Sequence, residues 1–203
     1  TCTHEGGAIF TNGWNTHPHL VNVVFNGNTA GLSGGGIYNN DDSSPTLINV
    51  TFSGNSAVST GGAMHTYQGS PTVTNSILWG NTATDGAQFF GPVNVTYSLV
   101  EGLGEDPVNH ILDSDPLFRD AAGGNLHLQN GSPAIDTGTS TGAPSFDLDD
   151  NPRPIDGDGD AVPEFDMGAY ELLNQAPIAD ANGPYVINEG DSLTLDASGS
   201  WDP

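Results

Sequence analysis

Apolar and polar positions along the first hundred residues repeat one sentence with small changes. A doubled glycine opens a short alternating stretch in Gly6-Gly7-Ala8-Ile9-Phe10, Gly34-Gly35-Gly36-Ile37-Tyr38 and Gly61-Gly62-Ala63-Met64-His65. A proline then introduces a β-branched run closed by Gly-Asn, from Pro18 to Asn28, Pro45 to Asn55 and Pro71 to Asn81. A fourth, degenerate copy runs from Asp85-Gly86-Ala87-Gln88-Phe89 to Val100-Glu101-Gly102. Prolines at 18, 45 and 71 set a period of 26–27 residues, which shortens to 22 between Asn75 and Tyr97. A fixed period of this size predicts a solenoid, in which each unit buries its apolar face only against its neighbours.

The units read as strands. Ile48-Asn49-Val50-Thr51-Phe52 is β-branched and aromatic, and it is bounded by Pro and Gly-Asn. Aligning the copies gives the columns Leu20/Leu47/Val73/Val95, Val24/Thr51/Ile77/Leu99 and Phe25/Phe52/Leu78/Val100. Coils spaced about 4.8 Å apart place such residues one above another. The asparagine of each Gly-Asn turn is expected to take left-handed backbone and to bond the next coil. The doubled glycines permit a tight corner or a close backbone approach.

These residues resemble the right-handed parallel β-helix proteins of bacterial surfaces, whose repeats read GGxIY … P-x-(I/L)-x-N-x-x-F-x-G-N-x-A. The resemblance covers about residues 5–102 and implies about four coils. Repeat arrays need capping ends, and Thr1-Cys2-Thr3 is too brief to form one, so the first coil is expected to present a bare edge.

After Gly102 the repeat stops. Asp115-Pro116-Leu117-Phe118, Ser132-Pro133-Ala134-Ile135-Asp136-Thr137-Gly138 and Asp166-Met167-Gly168-Ala169-Tyr170-Glu171 resemble, in order, the tail that closes many secreted bacterial β-helices, including those of choice-of-anchor type. That resemblance implies a C-terminal continuation and cap over 103–173. The densest acidic run lies here: Asp147, Asp149, Asp150, Asp156, Asp158, Asp160, Glu164 and Asp166. Aspartates at alternate positions separated by glycine suit a loop wrapping oxygen ligands around Ca²⁺. The candidate ligands are Asp147, Asp149, Asp156, Asp158, Asp160, Glu164 and Asp166, with Arg153 available to neutralise the same cluster. A solvated acidic loop is the competing reading. Asn174-Gln175-Ala176-Pro177 reads as a linker, and Ala179 to Pro203 resembles the opening strands of a PKD-type β-sandwich. The expected fold is therefore all-β: a right-handed parallel β-helix over 1–102, a cap over 103–173, and a partial sandwich arm over 174–203.

Charge narrows the partners. Lysine is absent, two arginines face 25 acids, and the net charge is −23. Nucleic acid and anionic membranes need Lys and Arg against phosphate, so both are excluded as expected partners. A surface this acidic repels itself unless cations neutralise it, which makes Ca²⁺ the expected cofactor. No apolar run reaches membrane-spanning length. Cys2, the single cysteine, is expected to be a structural thiol. The Asn/Thr/Gly-rich composition points to a processed extracellular protein.

Chemistry is sparse in the repeat. Lyases of β-helical fold use Lys or Arg, and the two arginines lie outside the repeat. Asp41, Asp42 and Asp85 read as loop residues, not as an opposed carboxylate pair. His4, His17, His19, His65, His110 and His127 lack zinc-like spacing. Phe10, Tyr38, His65 and Phe89 align as one column: outward, a ladder for sugar rings; inward, a core stack, which is the usual fate of aromatics. Asn49 and Asn94 head N-glycosylation sequons, and Thr137, Thr139, Ser140 and Thr141 form a candidate O-glycan tract. The expectation is a non-enzymatic extracellular structural subunit that assembles head to tail. The alternatives are a carbohydrate-binding adhesin and, behind it, a polysaccharide lyase or hydrolase.

Overall fold

The structure is a computed structural model and describes residues 2–173, 198 and 200. The expected PKD-like arm lies outside the described residues. Two compact units divide the chain, Thr1–Leu172 and Leu173–Pro203. The first is described here.

It is a parallel β-solenoid of about three complete turns, with no α-helix among the described residues. The first turn holds β1 (Ile9–Asn12), β2 (His19–Val21), β3 (Val24–Asn26) and β4 (Thr29–Ala30). The second holds β5 (Ile37–Asn40), β6 (Thr46–Ile48), β7 (Thr51–Ser53) and β8 (Ser56–Ala57). The third holds β9 (Met64–Thr66), β10 (Thr72–Thr74) and β11 (Ile77–Trp79). An incomplete fourth adds β12 (Phe89–Phe90), β13 (Asn94–Thr96) and β14 (Ser98–Val100), and β15 (Ile111–Leu112) follows. The expected fourth coil is thus present only as strands. The solenoid is closed by a hairpin-bearing tail with β16 (Phe118–Asp120) and β17 (Asn125–Leu128).

Three walls result. Sheet 1 is β1-β5-β9-β12, sheet 2 is β2-β6-β10-β13, and sheet 3 is β3-β7-β11-β14-β15. Pairing is parallel throughout, and its register is that of the sequence columns: Leu20 on Leu47, Leu47 on Val73, Val73 on Val95. The doubled glycines are steric necessities. A Cβ on Gly7 would lie 2.0 Å from the Gly35 carbonyl oxygen, and one on Gly35 would lie 2.2 Å from that of Gly62.

The two asparagine columns divide their labour differently from expectation. In the Gly-Asn turns the glycine takes the left-handed backbone, with φ 65°, 63° and 69° at Gly27, Gly54 and Gly80. The asparagines that follow form the inter-turn ladder. Asn28 Nδ2 donates to Asn55 Oδ1 (2.9 Å), and Asn55 Nδ2 to Asn81 Oδ1 (2.8 Å). Asn81 Nδ2 donates to Gln88 Oε1 (2.7 Å), and Gln88 Nε2 ends the ladder on Glu101 Oε2 (2.8 Å). Left-handed asparagines occur instead in the other column, between sheets 2 and 3, at Asn22, Asn49 and Asn75 (φ 51°, 52° and 51°).

That second column holds the tail. Asn22 Nδ2 donates to the Phe146 carbonyl, Asn49 Nδ2 to those of Asp166 and Gly168, and Asn75 Nδ2 to that of Thr139. After β15 the tail therefore lies along the flank of the solenoid. Phe118, Leu126, Leu128, Ile135, Met167 and Leu172 pack on Ile77 and Leu99, the outward residues of sheet 3. The inward residues Phe25, Phe52, Leu78 and Val100 fill the solenoid core. Sheet 3 is thus buried on both faces, which explains why its strands carry apolar residues without strict alternation.

Asn49 is the central fastening, 0% exposed. Asn49→Gly keeps the left-handed conformation and loses two hydrogen bonds, an expected loss of about 2 kcal/mol. Asn49→Ala adds the left-handed strain of a β-carbon, for about 3 kcal/mol in total. Urea denaturation of the two variants measures the difference; equal losses would show that the backbone conformation contributes nothing.

Candidate functional site

The acids expected to form one calcium site fall into separate groups. Asp147 is buried, and its carboxylate accepts the backbone N–H of Asp149, Asn151 and Glu171 and the Asn151 side-chain amide. Asp166 is also buried, accepting the N–H of Asp136 (2.9 Å) and of Leu172 (2.6 Å). These two carboxylates shape the tail from within, and the cluster expected from sequence is corrected accordingly: their oxygens are committed to backbone that curls around them. Asp149 lies apart, facing His127 Nε2 at 2.7 Å, while the His127 ring stacks on Tyr170 at 4.0 Å. Asp160 accepts the N–H of Val162, and Glu164 is exposed in a bridge with Ile155.

The residues that do converge are Asp136, Asp156 and Asp158, with one carboxylate oxygen from each lying within 4.8 Å of the others. Asp136 Oδ2 accepts the N–H of Gly157 and Asp158, and Oδ1 is buried without a partner. Burial raises the Asp136 carboxyl above the usual range against the pull of those backbone donors. Sequence reasoning missed Asp136 because it stands twenty positions upstream of the Asp-Gly run. Its place inside Ser-Pro-Ala-Ile-Asp-Thr-Gly was a signal of the tail, not of a ligand.

Beneath this loop sits a buried ionic network. The Arg153 and Glu171 side chains are both fully buried and paired through Nη1 and Oε1. Arg153 also donates to the carbonyls of Asp166 (3.2 Å) and Gly168 (3.0 Å). Glu171 accepts the N–H of Asp166 and Ile155. Burial, followed by the neighbouring Glu171 carboxylate, pushes the Asp166 carboxyl up to about 8. Burial likewise raises Glu171 against the pull of Arg153. Arg153 thus pairs with the buried Glu171 carboxylate and holds the backbone carbonyl of Asp166, not the Asp136 cluster.

The aromatic column is corrected at one position and in its direction. Phe90, not Phe89, pairs with His65; Phe89 pairs with Met64 and packs on the core. The short fourth copy shifts the alignment by one residue, and a one-residue shift exchanges faces in a strand. The column Phe10–Tyr38–His65–Phe90 stands on the outer face of sheet 1, with centroids 5.4, 4.6 and 5.1 Å apart and the rings nearly parallel. Inner positions belong to Ile37 and Met64, which are buried. Each ring covers the face of its neighbour, so the column offers solvent mainly edges, whereas stacking on a sugar needs a free face. His65 Nδ1 lies 2.8 Å from Thr60 Oγ1, and burial lowers the imidazole below its usual range.

The sequons separate cleanly. Asn49 is buried with its amide nitrogen engaged by the tail, which removes it as a glycan site. Asn94 is exposed on β13. Thr137, Ser140 and Thr141 are exposed, and Thr139 is half-buried with its N–H held by Asn75 Oδ1. Cys2 is half-buried, its Sγ 3.5 Å from the Glu5 carbonyl.

Residues 22–40 match the family model described as the Chlamydia polymorphic membrane protein repeat. That stretch runs from the left-handed Asn22 through β3 and β4 to the end of β5. No curated protein and no solved structure matches the chain. No helix among the described residues is long and apolar enough to cross a membrane.

Proposed function

We propose that this chain is a non-enzymatic structural module of an extracellular or cell-surface protein, a β-solenoid whose flank is braced by its own tail. The observation that carries this reading is where the polar side chains of the walls are spent. The Asn28/Asn55/Asn81 ladder is consumed between turns, the Asn22/Asn49/Asn75 column is consumed by the tail, and the outer aromatics stack on one another. The matched repeat, named for a membrane protein, and the strongly acidic surface support placement outside the cell. Antibody labelling of intact source cells tests this: signal is expected without permeabilisation, and signal only after lysis would overturn it.

A divalent cation, Ca²⁺ by its preference for clustered carboxylates, is assigned in this reading to Asp136, Asp156 and Asp158. It would offset the repulsion of three neighbouring carboxylates. Calcium at about 100 times its dissociation constant is expected to stabilise the fold by about 2.7 kcal/mol. Thermal unfolding with calcium and with chelator checks this, and Asp156→Asn with Asp158→Asn should abolish the difference.

A second reading, head-to-tail assembly into a filament, is favoured by one feature. Partly buried apolar residues flank the core in both the first turn (Ile9, Leu20, Val23) and the last (Phe89, Val93, Val95). With a net charge of −23 such assembly requires cations. Sedimentation with and without calcium tests it, and a monomer under both conditions overturns it.

A further inference from the structure

We propose that the last turn of the solenoid is a docking site for an extended, Lys- or Arg-bearing segment of another protein. Among the described residues sheet 3 continues past this turn through β15, whereas sheets 1 and 2 stop at β12 and β13, which are edge strands. Two clefts open here on either side of Leu103. One is lined by Phe89, Val100 and Glu101, the other by Val93, Val95 and Ile111. Leu103 itself is 50% exposed. An edge strand presents unpaired N–H and C=O groups, and an extended segment is the ligand that satisfies them.

Charge selects the occupant. Residues 85–115 hold six acids, Asp85, Glu101, Glu105, Asp106, Asp113 and Asp115, against no Lys or Arg and one histidine, His110. A segment added to β12 and β13 would set alternate apolar side chains on the floor of the clefts and direct cations toward Glu101, which lines one of them, within this acidic stretch. A second copy is a poor donor of such cations: it has no lysine, its Arg153 is buried on Glu171, and its net charge of −23 repels a like chain. The partner is therefore a different, basic chain.

The test uses the whole chain and three synthetic peptides of about ten residues, alternating Val-Lys, Val-Glu and Gly-Lys. The Val-Lys peptide is expected to bind, to shift the NMR resonances of Phe89–Thr96 and Leu103, and to weaken by about tenfold or more as salt rises from about 0.05 to about 0.3 M. Leu103→Arg should weaken it at least about tenfold with the β-sheet circular dichroism unchanged. If that variant does not fold, Asp85→Asn with Glu105→Gln should weaken binding severalfold. Equal binding of Gly-Lys would reduce the effect to bulk charge and overturn the proposal. So would binding of Val-Glu, shifts confined to the tail, or self-association that perturbs the same residues without peptide.

Discussion

Replacing Arg153 by methionine is expected to destabilise the solenoid unit by about 3–5 kcal/mol, the loss typical of removing one partner of a buried ion pair. The size follows from what the guanidinium leaves behind. Glu171 would remain fully buried with no cation, and the carbonyls of Asp166 and Gly168 would each lose the donor that Arg153 supplies. Those carbonyls also accept from Asn49, so the strain would pass to the fastening between tail and solenoid. Adding Glu171→Gln should recover about 1 kcal/mol or more, since the amide is neutral and its oxygen still accepts the N–H of Asp166. Chemical denaturation of the single and double variants provides the measurement. A double variant no more stable than the single one would show that the loss came from packing.

Phe52→Ala is the second large effect, also about 3–5 kcal/mol. Phe52 is fully buried and stacks on Phe25 at 4.6 Å, inside a wall whose backbone is locked by pairing above and below. A parallel ladder cannot contract around one missing ring without breaking register, so the cavity persists. Phe10→Ala provides the contrast. Phe10 is 49% exposed at the end of the outer column, and its loss is expected to stay below about 1 kcal/mol. Unfolding midpoints for the pair separate core stacking from surface stacking; similar losses would mean that the outer column contributes as much as the core.

Both effects bear on function through the same device. The tail closes sheet 3 and simultaneously shapes the loop that brings Asp136 to Asp156 and Asp158. A calcium effect on melting should therefore shrink in Arg153→Met, because the network beneath the loop and the loop share Asp166 and its bond from the Asp136 N–H. The last turn lies outside that network, and binding of a basic segment there is expected to survive calcium removal.

The spacing of prolines, glycines and asparagines determined the solenoid, its strands and their register, because stacked turns repeat one environment every 26–27 residues and the same side chain solves it each time. The column Leu20/Leu47/Val73/Val95 could be read directly for that reason. The shortened fourth copy broke the rule, and a single residue exchanged Phe89 for Phe90 between core and surface. Tertiary structure alone decided the rest. That Asn49 is a fastening and not a glycan site depends on residues 117 and 119 positions away, which no local pattern reports. That Asp147 and Asp166 are buried anchors while Asp136 joins the candidate metal site depends on the path of the tail along sheet 3. Eight acids in one run look alike in sequence; the backbone donors and the buried Arg153 that distinguish them are brought together only by the fold.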